Sequence, residues 1–378
     1  MLKFRMNLVL LFILSHPLLS LAKTAKIRPS LKPHISVLLA KALTDITVSG
    51  TNLRRTLFQT GNVKAHQGPI KVKFLCPPTL KKSKTLLAQV DSPTGILAWN
   101  EGLYRGDMLV AKSSDEGCQL IQRSSLEDYI SSLLAKEMNR LWPLEALKAQ
   151  AVAARTYALY QMNQRKHERF YDLENSERDQ VNGGLNDESS LTIRAAQETK
   201  GEVLLNPQGQ LRPIFYHSKC GGKTFLPVQI WDRQEAGYVS VKCPFCLGHG
   251  ESGWQHHLNP GEFKKLIKRY GKNGKVEMKD NVLFHPDRKE NQLLRVNMNG
   301  KLGLLNKIYL RRFLGRDKIK SNYFTVKQVN KDVVIEGTGN GHGVGMCQFG
   351  ALAMADMGWD YKKILKYYYP KHELKTYY

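Results

Sequence analysis

Residues 124–165 read SSLEDYISSLLAKEMNRLWPLEALKAQAVAARTYALYQMNQR, and they predict two neighbouring helices. In the first, Leu126, Tyr129, Ile130, Leu133 and Leu134 recur at helical spacing. Ser125 suits its N-cap, and Asp128 places an acid in its first turn, where the helix dipole favours one. Glu137 falls within the apolar stripe, not opposite it. A carboxylate on a packing face is desolvated, so it either finds a partner or stays protonated near neutral pH. The second state is what a general acid needs.

Trp142-Pro143 opens the second helix, since proline is preset for the first helical position. Leu144, Leu147, Ala151, Ala158 and Leu159 form its apolar face, and Arg155 falls in the same face. Alanines at 146, 149, 151, 153, 154 and 158 allow close helix approach. Two inward charges permit two readings: a buried structural Glu137–Arg155 pair, or a catalytic Glu137 with a positioning Arg155.

Working outward, residues 1–22 have the pattern of a secretory signal. Lys3 and Arg5 precede the apolar core LVLLFIL, and Ser20-Leu21-Ala22 fits the small-x-small cleavage rule. That core is too short to span a bilayer, and no later run of about 18 apolar residues follows. The expected location is therefore export, to a periplasm or the extracellular space, with no stable membrane span in the mature form. Removing Lys3 and Arg5 from a chain of formal charge +24 leaves +22. Such a chain prefers polyanions. Export argues against nucleic acid as the partner. Lipid headgroups and the cell wall remain, the wall glycan bearing a lactyl carboxylate on alternate sugars.

The fold class expected is α+β: a β-rich N-terminal part, a central helical pair and a mixed, β-rich C-terminal part closing a cleft. Residues 23–122 form the β-rich region, where HISVLLAKALTDITVSG, GPIKVKFLC, TLLAQV, GILAW and DMLVAK alternate with turn residues. Residues 123–378 form the remainder. Residues 166–194 look like a polar loop, and GEVLLNPQGQLRPIFYHS reads as a hairpin about Asn206-Pro207-Gln208-Gly209. A second hairpin is expected at Asn299-Gly300.

The tail GTGNGHGVGMCQFGA (337–351) is the second dense stretch. A phosphate-cradling loop fails on spacing, for no Gly-Lys-Ser/Thr and no βαβ frame surround it. A loop presenting His342 and Gln348 to a sugar and a tight structural loop with a buried histidine both fit. Cys220, Cys243 and Cys246 have spacing suited to zinc, with His249 the nearest fourth ligand. A disulfide among the three competes in an exported chain.

Three blocks resemble the SpoIID/LytB family, named for stage II sporulation protein D. They are LEDYISSLLAKEMNRLWPLEALKAQAVAARTYAL, YHSKCGGKT and GTGNGHGVGMCQFGALAMADMGWDYKKILKYYYP, with likeness over roughly residues 35–370. The resemblance implies a lytic transglycosylase acting on peptidoglycan glycan strands, preferring strands stripped of stem peptides. Glu137 matches the family's catalytic glutamate, and Arg155 an arginine near its cleft. Ser218, in the Ser-x-x-Gly-Gly-x-Thr element, joins His342 and Gln348 as a substrate-binding candidate. The reaction needs no cofactor, so any zinc would be structural. Some members hold zinc through a His and two Cys after the second helix, but the corresponding loop here offers His167, Glu174 and Asp179. Cys347 stands where the family often has Ser. Other members are named as amidase enhancers, which implies a rival reading as a non-catalytic wall-binding partner of a cell-wall amidase.

Overall fold

The alternating apolar residues from His34 onward do build strands. In the computed structural model the described residues are 33–77, 85–112, 117–165, 170–176, 179–231, 233–250, 253–271, 277–280, 293–298, 301–329 and 332–378. The signal-like segment 1–22 lies outside them, as does His167. A seven-stranded sheet runs in the order 173–174, 34–43, 118–125, 107–112, 85–91, 54–57, 63–65. A four-stranded sheet, ordered 69–75, 45–51, 96–99, 102–105, packs against it. Ile46, Val48, Val72 and Leu97 from the smaller sheet meet Val90, Met108, Val110 and Leu120 from the larger. A Cys76–Cys118 disulfide ties the two sheets at one end.

The strand Cys118–Ser125 runs straight into the first helix, so the expected division at 122/123 falls inside a strand. Helix α1 spans Leu126–Glu137, and Ser125 caps it by accepting the Asp128 N–H at 3.1 Å. Helix α2 spans Leu144–Arg165 and α3 spans Ser190–Glu198. Ser189 and Thr192 close a capping box on α3. Further on come α4 (Pro227–Trp231), α5 (Pro260–Gly271), α6 (Lys307–Leu314), α7 (Gln348–Asp356) and α8 (Tyr361–Tyr368).

Helix α2 is the axis of the helical core. Leu133 and Leu134 of α1, Ala195 and Ala196 of α3, Met354 of α7 and Ile364, Leu365 and Tyr368 of α8 join its residues in one apolar cluster. Every residue from Ala149 to Thr156 is buried. The alanines make this possible, because small side chains admit neighbours on all sides.

The hairpin expected about Asn206–Gly209 does not form as such. Glu202–Leu205 pairs antiparallel with the C-terminal strand Glu373–Thr376, and the return leg touches it at one bridge, Leu205 to Leu211. A turn signal identified the bend correctly, but the strand's partner lay at the far end of the chain. For the second expected hairpin, Leu293–Met298 pairs antiparallel with Lys301–Asn306, while its turn Asn299-Gly300 lies outside the described residues. The whole is α+β, with the last strands and helices folded back on the central pair.

Candidate functional site

Glu137 is the last residue of α1, where the helix ends and Met138 turns extended. It is partly buried. The Val181 N–H donates to its Oε1 at 3.1 Å, and the side chains of Gln348 and Tyr216 also hydrogen-bond it. Burial nonetheless outweighs these bonds and lifts its pKa to about 7. The Tyr216 phenol accepts from Gln180 Nε2 at 2.9 Å, and Tyr129 donates to Gln180 Oε1 at 2.9 Å. Burial, then the Glu137 charge, pushes both phenols well above their ordinary range, so they stay neutral donors.

Two distant segments deliver these groups. Tyr216-His217 forms a short parallel pairing with Met346-Cys347, so the strand carrying Tyr216 and the start of α7 carrying Gln348 lie side by side. Gly345 makes this approach possible. Its φ is +73°, and a Cβ there would sit 1.9 Å from the Phe215 carbonyl oxygen. Gln348 is almost fully buried, and its Nε2 donates to Gln150 of α2 at 3.5 Å.

His342 lies behind this wall. Its Nδ1 accepts the Val344 N–H at 3.0 Å, and its ring packs 4.9 Å from Trp231 and 5.5 Å from His217. Burial lowers the pKa of both histidines, His217 to about 4, so both are neutral. Ser218 follows the paired strand, and its carbonyl accepts the Phe349 N–H at 3.1 Å.

Arg155 is paired elsewhere, which corrects the expected Glu137–Arg155 pair. It is fully buried and forms a two-pronged ion pair with Glu127, Nε to Oε1 at 3.0 Å and Nη2 to Oε2 at 2.6 Å. The carbonyls of Ala196 and Glu202 take further donors. An all-round buried helix has no single functional face, so phase could not say which neighbour Arg155 meets. It is sealed from solvent, and its partner is Glu127, not Glu137.

The metal expectation changes in one ligand. Cys220, Cys243 and Cys246 converge, but the fourth member of their group is Cys347, whose sulfur lies within 4.8 Å of the others. His249 is outside that group; its backbone carbonyl accepts from Lys219. In the loop after α2, Glu174 accepts from Tyr171, and Asp179 from Tyr157, Gln161 and the Glu174 N–H, while His167 lies outside the described residues.

Among the described residues of the neighbouring loop, the acids nearest α1 are engaged by neighbours. Glu188 accepts from Ser131, Ser132 and Arg105, and Asp187 pairs with Lys136 at 2.7 Å. Cavities elsewhere do not involve Glu137. One of about 170 Å³ lies beside Cys76 and Cys118, and an open groove of about 710 Å³ is lined by Arg212, Arg233 and Glu235. Tyr216, Gln180 and the Val181 amide were not foreseen. Tyr216 immediately precedes the His-Ser pair of the central block, which was a usable signal; Gln180 sits in a polar loop that offered none.

Comparison with known proteins bears on this arrangement. A family model described as SpoIID, stage II sporulation protein, matches residues 114–205, the segment from the last strand of the sandwich through α3 and beyond. An uncharacterized protein of Brachyspira hyodysenteriae is 31% identical over 269 residues, 70% of this chain and 70% of that one. The chain belongs to the SpoIID family. Stage II sporulation protein D of Bacillus subtilis is 26% identical over 277 residues, 66% of this chain and 74% of the relative. The amidase enhancer of the same organism is 29% identical over 293 residues, and the match covers 40% of its length. The SpoIID-matching segment contains Glu137, Gln150 and Gln180, while Tyr216 and Gln348 come from beyond it.

Proposed function

We propose that this SpoIID-family protein is a lytic transglycosylase of peptidoglycan, with Glu137 as its one catalytic acid. The observation that carries the reading is a carboxyl with a pKa of about 7, partly exposed and set between neutral tyrosine and glutamine donors. At neutral pH such a group is protonated in a large fraction of molecules and ionised in the rest, so it can give a proton and take one back.

Glu137 in its acid form protonates the glycosidic oxygen leaving C1 of N-acetylmuramic acid. The C1–O bond breaks, and the glutamate is left as the carboxylate. It then accepts the proton of that sugar's own C6 hydroxyl as O6 bonds to C1. The product is a 1,6-anhydro end; Glu137 is restored to its acid form, and no water is consumed. Val181 N–H, Tyr216 and Gln348 stabilise the carboxylate between the two transfers. A hydrolase would want a second carboxylate about 5–10 Å away. The engagement of Asp179, Asp187 and Glu188 in the scaffold favours the single-acid route. Ser218 is assigned to the sugar-facing wall, with His342 supporting that wall from behind through its contacts with His217 and Trp231; no metal takes part in the cycle.

The similarity to a protein named amidase enhancer supports a second reading, in which the chain binds the wall and stimulates an amidase without cutting glycan. Purified protein incubated with amidase-stripped glycan separates the two. New 1,6-anhydro ends, detected by mass, support the enzyme. Unchanged glycan together with faster release of stem peptides by added amidase supports the enhancer. Both readings place the protein at the cell wall, in the periplasm or outside the cell.

A further inference from the structure

The four cysteines that the acid–base cycle leaves unused are buried together. Cys220 follows the strand bearing Tyr216, Cys243 and Cys246 bracket a short turn entered through Pro244, and Cys347 caps α7. We propose that they form a closed, structural tetrathiolate site for one zinc-class cation, and that this clasp holds the start of α7 in place.

Distances fit first. All four sulfurs lie within 4.8 Å of one another, and those of Cys220 and Cys246 are 3.5 Å apart. A Zn–S bond of about 2.3 Å in a tetrahedron puts sulfurs roughly 3.8 Å from each other. A disulfide needs about 2.05 Å. The same chain closes Cys76 onto Cys118 but leaves these four unjoined.

The surroundings supply a second, independent observation. Backbone N–H groups are aimed at the sulfurs: Gly222 at Cys220 (3.4 Å), and both Cys220 and Gly350 at Cys347 (3.4 and 3.3 Å). The Tyr368 hydroxyl meets Cys243 at 3.1 Å. Donors aimed at the sulfurs are the kind of outer contact that orients metal ligands. Thiolates are soft ligands and select zinc over magnesium or calcium. Four protein ligands leave no open position, which marks the site as structural.

The shape of the pocket is fixed by Gly350. A Cβ at that position would lie 2.7 Å from the Cys243 sulfur and 2.0 Å from the Tyr368 oxygen. Cys220 and Cys347 are 127 positions apart, so the clasp joins elements that sequence keeps remote. Gln348 is the next residue after a ligand. The cation would thereby fix the side chain that meets Glu137, although the metal site itself stands whether or not Glu137 is catalytic.

The test is metal content, read without any glycan. Full-length protein purified without added metal is analysed by elemental analysis, with about one zinc per chain expected. Cys347→Ser and Cys246→Ser should each cut retained zinc about tenfold or more, as expected when one of four ligands is lost. Should the variants fail to fold, cobalt(II) exchanged into the wild type gives the same answer. An intense sulfur-to-cobalt absorption with the tetrahedral visible bands of four thiolates supports the site. Metal-free folded wild type, full zinc in folded Cys347→Ser, or a peptide map joining any two of the four cysteines would overturn it.

Discussion

Burial raises the Glu137 pKa to about 7 although the Val181 amide, Gln348 and Tyr216 all favour its charged form. The sign of the consequence follows from linkage. Between an ordinary carboxyl value of about 4.5 and about 7, the folded state binds more proton than the unfolded one, so stability falls as pH rises through that window. Glu137→Gln removes the cost of the buried charge. It should leave thermal stability little changed at about pH 4 and raise it by on the order of 3 kcal/mol at about pH 8, since one pKa unit is worth about 1.4 kcal/mol. Thermal melts of both proteins at the two pH values check this. The same substitution should reduce glycan cleavage by about 10²–10⁴-fold, the usual worth of a general acid. Arg155 behaves differently. Arg155→Met removes the ion-pair partner of Glu127, which keeps the Tyr378 hydroxyl and the Gly201 N–H, and strips the buried carbonyls of Ala196 and Glu202 of their Arg155 donors, so an unfolding free energy lower by about 3 kcal/mol is expected in urea melts. Cleavage per folded molecule should persist; a stable but inactive variant would return Arg155 to the reaction.

Among the elements, α1 was legible because its apolar residues Leu126, Ile130, Leu133 and Leu134 keep helical spacing and are buried, although Ser131 and Ser132 are buried with them. In α2 the run from Ala149 to Thr156 is buried on every side, so periodicity located the helix but not the partner of its arginine. The loop before α7 shows what short-range spacing misses. His249 was the nearest histidine to Cys246 in sequence, while the chain brings Cys347 from the far end through the Met346-Cys347 pairing with Tyr216-His217. Gly345 is the joint of that pairing. Gly345→Ala demands both an uncommon φ of +73° and a Cβ 1.9 Å from the Phe215 oxygen, against backbone that cannot yield cheaply. It should destabilise the fold by more than about 1 kcal/mol. If the variant still folds, it should also lose cleavage, because Gln348 and Tyr216 are held across this joint; equal stability and activity in the variant would remove Gly345 from this role.

For the whole molecule, strand alternation made the sandwich readable up to residue 112, whereas the pairing of strands 202–205 and 373–376 was hidden by their separation. The bond between Cys76 and Cys118 likewise has no spacing signal, since it links two sheets. No helix among the described residues is long and apolar enough to cross a membrane. The charge of +24 acts at this scale too. Binding to denuded glycan, with its lactyl carboxylates, should weaken steadily as salt rises from about 0.05 to 0.5 M, because screening shortens the reach of the surface lysines and arginines. Sedimentation with insoluble glycan measures it; salt-independent retention would mean that charge does not drive attachment.

The most direct test of the central claim is digestion of amidase-stripped glycan in water enriched in oxygen-18, with the ends analysed by mass. A single acid passing its proton between the glycosidic oxygen and the sugar's own C6 hydroxyl predicts muramic ends lighter by one water and free of label, formed by the wild type and not by Glu137→Gln. Reducing muramic ends carrying oxygen-18, or anhydro ends formed as fast by the glutamine variant, would contradict it.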